Sequence, residues 1–343
     1  MERKRILYLG NQLGAYGFTP SSVETLGNRL KDLFDVTQGS AKRNQILRLL
    51  HMWYLILKNR NVDFILIDTY STKGFIFAWT SSILANLFKI KYIPILHGGA
   101  LPKRAQKSPK LLSYYLKNAY SVVCPSNYLK VEVGKVLGGE YKVIPNYIDI
   151  NNYPFKERCL EANNSIKLLW VRSFHEIYNP SLAVRIIRQL HDLGHLNSKL
   201  CMVGPDKDGS LEKTKQLARE LGVIDFIEFV GLLSKKEWIE LSKSYNIFIN
   251  TSNVDNTPVS VIEAMALGFP VLSTNVGGIP YLFEDKKEGV MLGANQTDEF
   301  VRVIEKIVSD PIYMLDLSRN ARKRAEIMDW VPIKAQWDEL LSI

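Results

Sequence analysis

Along almost the whole chain, short β-rich runs bounded by turn residues alternate with amphipathic runs of helical length, and no other feature constrains the fold as tightly. In the first half, "RILYLG", "VDFILID", "KYIPILHGG", "SVVCPS" and "YKVIPN" read as strands. Between them "SSVETLGNRLKDLF", "QILRLLHMWYLILKN", "GFIFAWTSSILANLF" and "NYLKVEVGKVL" read as helices. The second half repeats the rhythm, with strands at "IKLLWVRSF", "SKLCMVGP", "DFIEFVG", "IFINTS" and "PVLST" and with helices at "PSLAVRIIRQLHDLG", "LEKTKQLARELG", "KKEWIELSKSY" and "PVSVIEAMALG". Strands joined through helices lie parallel, so the pattern predicts α/β architecture with doubly wound parallel sheets.

A chain of 343 residues exceeds the size at which one core stops growing, so two domains are expected. The polar stretch "DINNYPFKERCLEANNSIK", about residues 149 to 167, is the best linker. It sets the expected domains at 1–155 and 156–343, with the last helix, about 331–343, packing back on the first domain. Two such domains would place a cleft at the carboxyl ends of their strands.

Charge divides unevenly between these halves. Residues 1–150 hold 21 Lys and Arg against 9 Asp and Glu, and residues 151–343 hold 23 against 26. A basic first half suits anionic lipid, phosphorylated substrates or nucleic acid. No helix-turn-helix, zinc-finger or RNA-binding signature accompanies it, so nucleic acid is not expected. With no long apolar run and no signal-peptide pattern at "MERKRILYLGNQ", the expected location is the cytoplasm. Cys124, Cys159 and Cys201 lack ligand spacing and read as free buried thiols, and no metal is expected.

"YLGNQLGAYGFT" places Gly10, Gly14 and Gly17 after the first strand. They allow either close backbone approach to a ligand, with Asn11 offering a hydrogen bond, or a plain turn. "DNTPVSVIEAMALGFPVLSTNVGGIP" says more. Thr257 can cap a helix whose first residue is Pro258, leaving the Val259 and Ser260 amides as an anion site. Glu263, just over a turn further, could accept two bonds from a vicinal diol such as ribose, and Asp255 could reach a sugar beyond the phosphates. The alternatives are a dipole partner for Glu263, a loop carboxylate for Asp255, and a tight turn for "NVGG".

These residues, with "HGG" after a central strand, "CPSNYLKVEVGKVLG", "VIPNYID", "LLWVRSFH", "MVGP" and "FVGLLSKKE", resemble the retaining family-4 glycosyltransferases of GT-B fold. The resemblance implies two Rossmann-like domains facing across a cleft. The second holds a nucleoside diphosphate sugar and the first a glycan or lipid-linked acceptor. It implies that Glu263 binds the donor ribose, that Asp255 touches the donor sugar, that Arg172 neutralises the diphosphate and that His97 lies beside the reacting sugar. Asn256, Thr257, Pro258 and Val259 would line phosphate and sugar, with Gly231 and Leu232 near the base, and Gly10, Asn11, Gly14, Gly17 and Tyr178 are also expected at the donor. No metal or other cofactor is implied, and no catalytic base is needed where the diphosphate takes the acceptor proton.

Two positions depart from the family pattern. Asp255 stands where it has glutamate, and Ile177 and Tyr178 stand where it has a phosphate-binding lysine, which His175 could replace in part. The expected activity is retaining transfer of a hexose to a glycan or lipid-linked acceptor, in surface polysaccharide or glycolipid synthesis. The alternatives are a nucleotide-sugar epimerase and a non-catalytic binding relative. Ile46, Leu47, Leu50, Trp53, Tyr54 and Leu57, with the basic run "PKRAQKSPK", form either core packing or a peripheral contact with anionic membrane.

Overall fold

The computed structural model describes residues 3–16, 20–72, 74–159 and 165–342. Backbone contacts divide them into two units, Met1–Pro145 with Val331–Ile343, and Asn146–Trp330.

Unit 1 runs β1 (Arg5–Leu9), α1 (Ser22–Leu30), β2 (Asp35–Gly39), α2 (Gln45–Lys58), β3 (Phe64–Thr69), α3 (Gly74–Leu87), β4 (Lys91–Leu96), α4 (Leu101–Lys107), α5 (Pro109–Lys117), β5 (Val123–Cys124), α6 (Asn127–Leu137) and β6 (Lys142–Val143). Unit 2 runs β7 (Lys167–Val171), α7 (Pro180–Asp192), β8 (Lys199–Val203), α8 (Ser210–Glu220), β9 (Ile227–Gly231), α9 (Lys235–Ser242), β10 (Ile247–Asn250), α10 (Val259–Ala266), β11 (Val271–Thr274), β12 (Val290–Leu292), α11 (Thr297–Ser309) and α12 (Pro311–Glu326). From there α13 (Trp330–Leu341) returns the chain to unit 1.

Each unit is built on one six-stranded sheet, ordered β2-β1-β3-β4-β5-β6 in unit 1 and β12-β11-β10-β7-β8-β9 in unit 2. Every pairing is parallel. Helices cover both faces, which is why central strands such as "FILIDT" and "KLLWV" read as nearly unbroken apolar runs. In unit 1, Met52, Ile56, Phe75 and Ala78 of α2 and α3 close over Leu7, Ile65 and Ile67. In unit 2, the α7 stripe Leu182, Ile186, Leu190 packs with Phe300 and Ile304 of α11 against Leu168 and Trp170.

Sequence periodicity misses the long helices α11 and α12 as well as several short or polar elements. β2 reads "DVTQG" and β12 "VML", both at sheet edges where few apolar residues are buried. α4 and α5 hide in a run rich in lysine and proline, yet Leu101, Ala105, Leu112 and Tyr115 turn inward.

The expected divide at 155/156 falls ten residues earlier, after Pro145, because the polar stretch beyond it is bonded into unit 2. The Ile148 amide donates to the Met328 carbonyl (2.9 Å) and its carbonyl accepts from the Trp330 amide (3.0 Å). Arg158, buried, donates to the Ser242 and Tyr245 carbonyls and lies 3.9 Å over the Phe269 ring. Composition reported polarity there, and the bonds report attachment. The last helix is grouped with unit 1, where Glu339 pairs with Lys142 at 3.1 Å. Of the cysteines, Cys124 and Cys201 are buried and Cys159 is exposed, so the expectation of three buried thiols fails at Cys159.

Among the glycines that follow helices with left-handed φ are Gly222, at +69° after α8, and Gly268, at +80° after α10. A Cβ at Gly222 meets nothing within 4 Å, whereas one at Gly268 meets the Lys156 carbonyl oxygen at 2.5 Å. Gly222→Ala should therefore cost only the left-handed penalty, about 1 kcal/mol. Gly268→Ala should lower the thermal midpoint visibly further; equal shifts for the two variants would contradict this packing.

Candidate functional site

In unit 2 the strand order turns between β7 and β10, and the loops leaving these two strands bring Arg172 and Asp255 together. The Arg172 guanidinium pairs with Asp255 Oδ2, which also accepts from the Ser252 hydroxyl at 3.1 Å; Oδ1 accepts from the Asn256 amide at 3.0 Å. The guanidinium lies 4.4 Å over the Tyr178 ring. Tyr178 is itself held by its carbonyl, which accepts from Thr251, and Thr251 accepts from the Trp170 indole at 2.9 Å.

Glycine makes this packing possible. A Cβ at Gly204 would overlap the Arg172 carbonyl, and Cβ atoms at Gly277 and Gly278 would overlap the Asp255 and Asn256 carbonyls. The Gly278 amide donates to the Asp255 carbonyl at 3.1 Å. The "NVGG" pair thus clamps the acidic loop by close backbone approach. The same aspartate that could reach a sugar is held by Arg172, so a diphosphate and Asp255 would compete for one guanidinium.

The helix start differs from the expectation by one position. Pro258, with φ −68° and ψ 112°, is the residue flanking α10, and no side chain caps it. Thr257 is therefore not the cap, because Pro258 is extended and its carbonyl accepts the first bonds, from Val261 and Ile262. The Val259 and Ser260 amides lie outside the helical ladder. Among the described residues, Thr257 Oγ1, Ser260 Oγ and Arg172 Nε are buried and have no hydrogen-bond partner. Such orphans are rare in folded proteins; Trp79 Nε1, Ser81 Oγ, Arg158 Nε and Ser198 Oγ are others elsewhere in the chain, and these three lie on the loop pair just described and on the helix that follows it.

Glu263 sits on α10, 4% exposed. Its Oε1 accepts from the Tyr153 hydroxyl at 2.8 Å and from the Lys235 ammonium, and Oε2 has no partner among the described residues. Burial and the Glu263 charge push the Tyr153 phenol well up, so Tyr153 stays a donor. Lys235, by contrast, is largely exposed on a flexible stem and can leave. A diol would therefore meet Oε2 directly and Oε1 only after displacing Lys235. Nothing in the sequence linked these partners: Tyr153 lies in the supposed linker, and Lys235 is one of two lysines in "SKKE".

Other expected residues are placed as follows. Gly231 ends β9 with φ +79° and accepts from the Gly204 amide at 2.7 Å; Leu232 beside it is 62% exposed. His175 Nδ1 accepts from the Ile177 amide at 3.1 Å and lies 3.6 Å from Asp208 Oδ2, and its ring meets the Tyr178 ring edge-on at 6.2 Å.

In unit 1, His97 follows β4 and its Nε2 bonds Asp68 Oδ1 at 2.7 Å. Asp68 ends β3 buried, taking the Tyr8 hydroxyl at 2.8 Å on the same oxygen and the Val23 amide at 3.2 Å on the other. Burial and the Asp68 charge push the Tyr8 phenol well up, which keeps it a donor. Gly10 is needed here: its Cβ would lie 2.5 Å from Asp68 Oδ2. Asn11 accepts from Arg48 at 3.0 Å, and the Gly14 amide donates to Glu24 at 3.0 Å. Gly17 lies outside the described residues. Asp68, Tyr8 and Arg48 escaped sequence reading because each sits in a run that reads as ordinary strand or helix. Among the described residues, no group of three or more His, Cys, Asp or Glu is placed to hold a metal ion.

Residues 154–324 match the family of glycosyl transferases group 1. A D-inositol 3-phosphate glycosyltransferase of Gordonia bronchialis is 28% identical over 133 residues, 38% of this chain and 29% of that protein. A glycosyltransferase of Haemophilus influenzae is 28% identical over 131 residues, 38% of this chain and 36% of that one. These alignments span about a third of the relatives' own length. Among solved structures, Anabaena HepE in complex with UDP superposes with a TM-score of 0.77 at 18% identity, covering 98% of this chain and 99% of that one. Sucrose-phosphate synthase from Thermosynechococcus elongatus superposes with 0.81 at 16%, covering 98% of each. The fold is GT-B, and through the segment carried by unit 2 the chain belongs to the group 1 glycosyl transferases.

Proposed function

We propose that the chain is a retaining hexosyltransferase that takes a nucleoside diphosphate sugar, with uridine as the base, and transfers the hexose to a hydroxyl of a glycan or lipid-linked acceptor in surface polysaccharide or glycolipid synthesis. The observation that carries this reading is the set of unmet donors in unit 2: Arg172 Nε, the Thr257 and Ser260 hydroxyls and the two free amides opening α10, one turn ahead of the buried Glu263. A helix start with a guanidinium suits a diphosphate, and a carboxylate with an open oxygen suits a ribose hydroxyl. Structural neighbours whose complexes hold UDP and UDP-glucose support uridine.

In the reaction the bond from the anomeric carbon to the diphosphate oxygen breaks and the acceptor oxygen bonds that carbon on the same face. The acceptor proton passes to the departing diphosphate, so no separate base or metal is invoked. Arg172 and the α10 amides stabilise the charge that grows on the leaving oxygen. Asp255, released as the guanidinium turns to phosphate, is left to accept from a sugar hydroxyl. His97, held by Asp68, is assigned to the reacting sugar, Asn256, Thr257, Pro258 and Val259 to phosphate and sugar, and Gly231 and Leu232 to the base. Unit 1 takes the acceptor.

The basic half supports a peripheral contact with anionic lipid. α2 leaves Ile46, Leu47, Leu50, Tyr54 and Leu57 exposed, and α3 adds Ile76, Ile83 and Leu87. Between Val36 and Val131 the only carboxylates are Asp63 and Asp68. Among the described residues, no helix is long and apolar enough to cross a membrane.

UDP at a hundred times its dissociation constant should stabilise the protein by about 2.7 kcal/mol. Glu263→Gln, which loses the charge offered to ribose, should weaken UDP binding by about 1.5 to 3 kcal/mol. Absence of any thermal shift with UDP, GDP or ADP would sink the donor reading.

Tyr178 separates the ring's role from that of the missing cation. Tyr178→Phe should keep transfer near the parent rate. Tyr178→Lys removes the ring and sets a like charge beside Arg172, and should lower turnover toward the hundred- to thousandfold loss typical of a removed electrostatic stabiliser, as in Arg172→Ala. A fully active Tyr178→Lys protein would show that the ring is dispensable.

Liposome flotation checks the lipid contact. Binding should require anionic lipid, weaken with salt and fall on reversing the exposed Lys103, Lys107 and Lys110, each contributing about 1 kcal/mol near the surface. Arg104 is a poor probe, being tied to the Ser71 carbonyl at 2.6 Å. Equal flotation with neutral and anionic vesicles at low salt would contradict it.

A further inference from the structure

Unit 1 holds a cavity of about 400 Å³ at the carboxyl ends of β1 and β3, where its strand order turns. Asn11, Gln45, Arg48, Tyr70, Gly74 and Phe77 line it. Arg48 is only 7% exposed, and among the described residues no carboxylate pairs with it. Nε donates to the Lys42 carbonyl at 2.7 Å, one terminal nitrogen to Asn11 Oδ1 at 3.0 Å and the other to the Arg43 carbonyl at 2.9 Å. All three acceptors are neutral. A guanidinium carries five N–H groups, so each terminal nitrogen keeps one without an acceptor among the described residues.

The surroundings favour an anion. The fourteen-residue helix α3 begins at Gly74 on the cavity wall, with its positive dipole end there. The carboxylate that borders the cavity, Asp68 of the adjoining recess, has its oxygens engaged by Tyr8, His97 and the Val23 amide. A buried cation facing neutral acceptors is costly, and burial lowers the Arg48 pKa below its ordinary value. A planar fork with two open N–H groups matches two oxygens of a phosphate.

We propose that this cavity binds a phosphate group of the acceptor, so that the acceptor is a phosphate ester, held by Arg48 beside the start of α3. This rests on the reading that unit 1 takes the acceptor. The shared chemistry is the phosphate, whether it belongs to a soluble sugar phosphate or to a phospholipid head group.

Calorimetry with inorganic phosphate and glycerol 3-phosphate, in the presence of saturating UDP to occupy the unit 2 phosphate site, tests it on the full chain. Arg48→Ala should weaken both at least tenfold. Because Arg48 also braces the Lys42 and Arg43 carbonyls, a second variant leaves it in place. A Cβ at Gly74 has 3.7 Å to its nearest neighbour, the Thr72 hydroxyl, so Gly74→Asp fits, suits a helix start and sets a negative charge on the cavity wall. It too should weaken phosphate at least tenfold with an unchanged thermal midpoint. No phosphate binding by the parent chain at millimolar concentration, or binding undiminished by Gly74→Asp, would overturn the proposal. Stabilisation by UDP reports unit 2 and should persist in both variants, so its absence in the parent chain would defeat the transferase reading while leaving the phosphate result to stand by itself. Vesicles of phosphatidylcholine with and without phosphatidic acid separate the sources. Loss of phosphatidic-acid-dependent binding in Gly74→Asp assigns the phosphate to a lipid, and binding confined to glycerol 3-phosphate assigns it to a soluble acceptor.

Discussion

The ion pair between Arg172 and Asp255 organises unit 2. It joins the loops after β7 and β10, and nearly every nearby sequence feature serves it. Tyr178 supports the guanidinium from one face, while Gly204, Gly277 and Gly278 leave room for the backbones that carry the pair. A partly buried ion pair contributes little net stability, because desolvation offsets attraction. Its consequence is positional: a guanidinium with an unmet Nε is held against the loop that leads into α10, whose start has no side-chain cap.

Unit 1 has a counterpart in Asp68. One buried carboxylate gathers a tyrosine from β1, a histidine following β4 and an amide from the start of α1. Three donors compensate its burial and fix the imidazole of His97 by one nitrogen. Arg48 is the opposite case, a buried cation with only neutral acceptors. The two ends of one hydrogen-bonding region thus differ in whether the protein itself supplies the complementary charge.

The relative placement of Asp255 and Glu263 was legible from spacing alone. Asp255, Glu263 and the helix start between them are local in sequence, so a turn and just over one helical turn place them without reference to the rest of the chain. The clamp by "NVGG" was half legible: consecutive glycines announce close approach, but not that the neighbour is the Asp255 carbonyl. Tyr153 and Lys235 were not legible, since each lies tens of residues or more from Glu263 and both belong to segments that read as surface.

The amino-acid sequence by itself determined the α/β class, the two parallel sheets and most of their elements, because apolar periodicity follows from which faces each element must bury. It also determined the asymmetry of charge. Only the tertiary structure decided the edge strands β2 and β12, the attachment of residues 146–158 to unit 2, and the partners of Arg172, Glu263, His97 and Arg48. Those depend on contacts between residues far apart in the chain, and neither periodicity nor local propensity carries information about which distant group supplies a hydrogen bond or a charge.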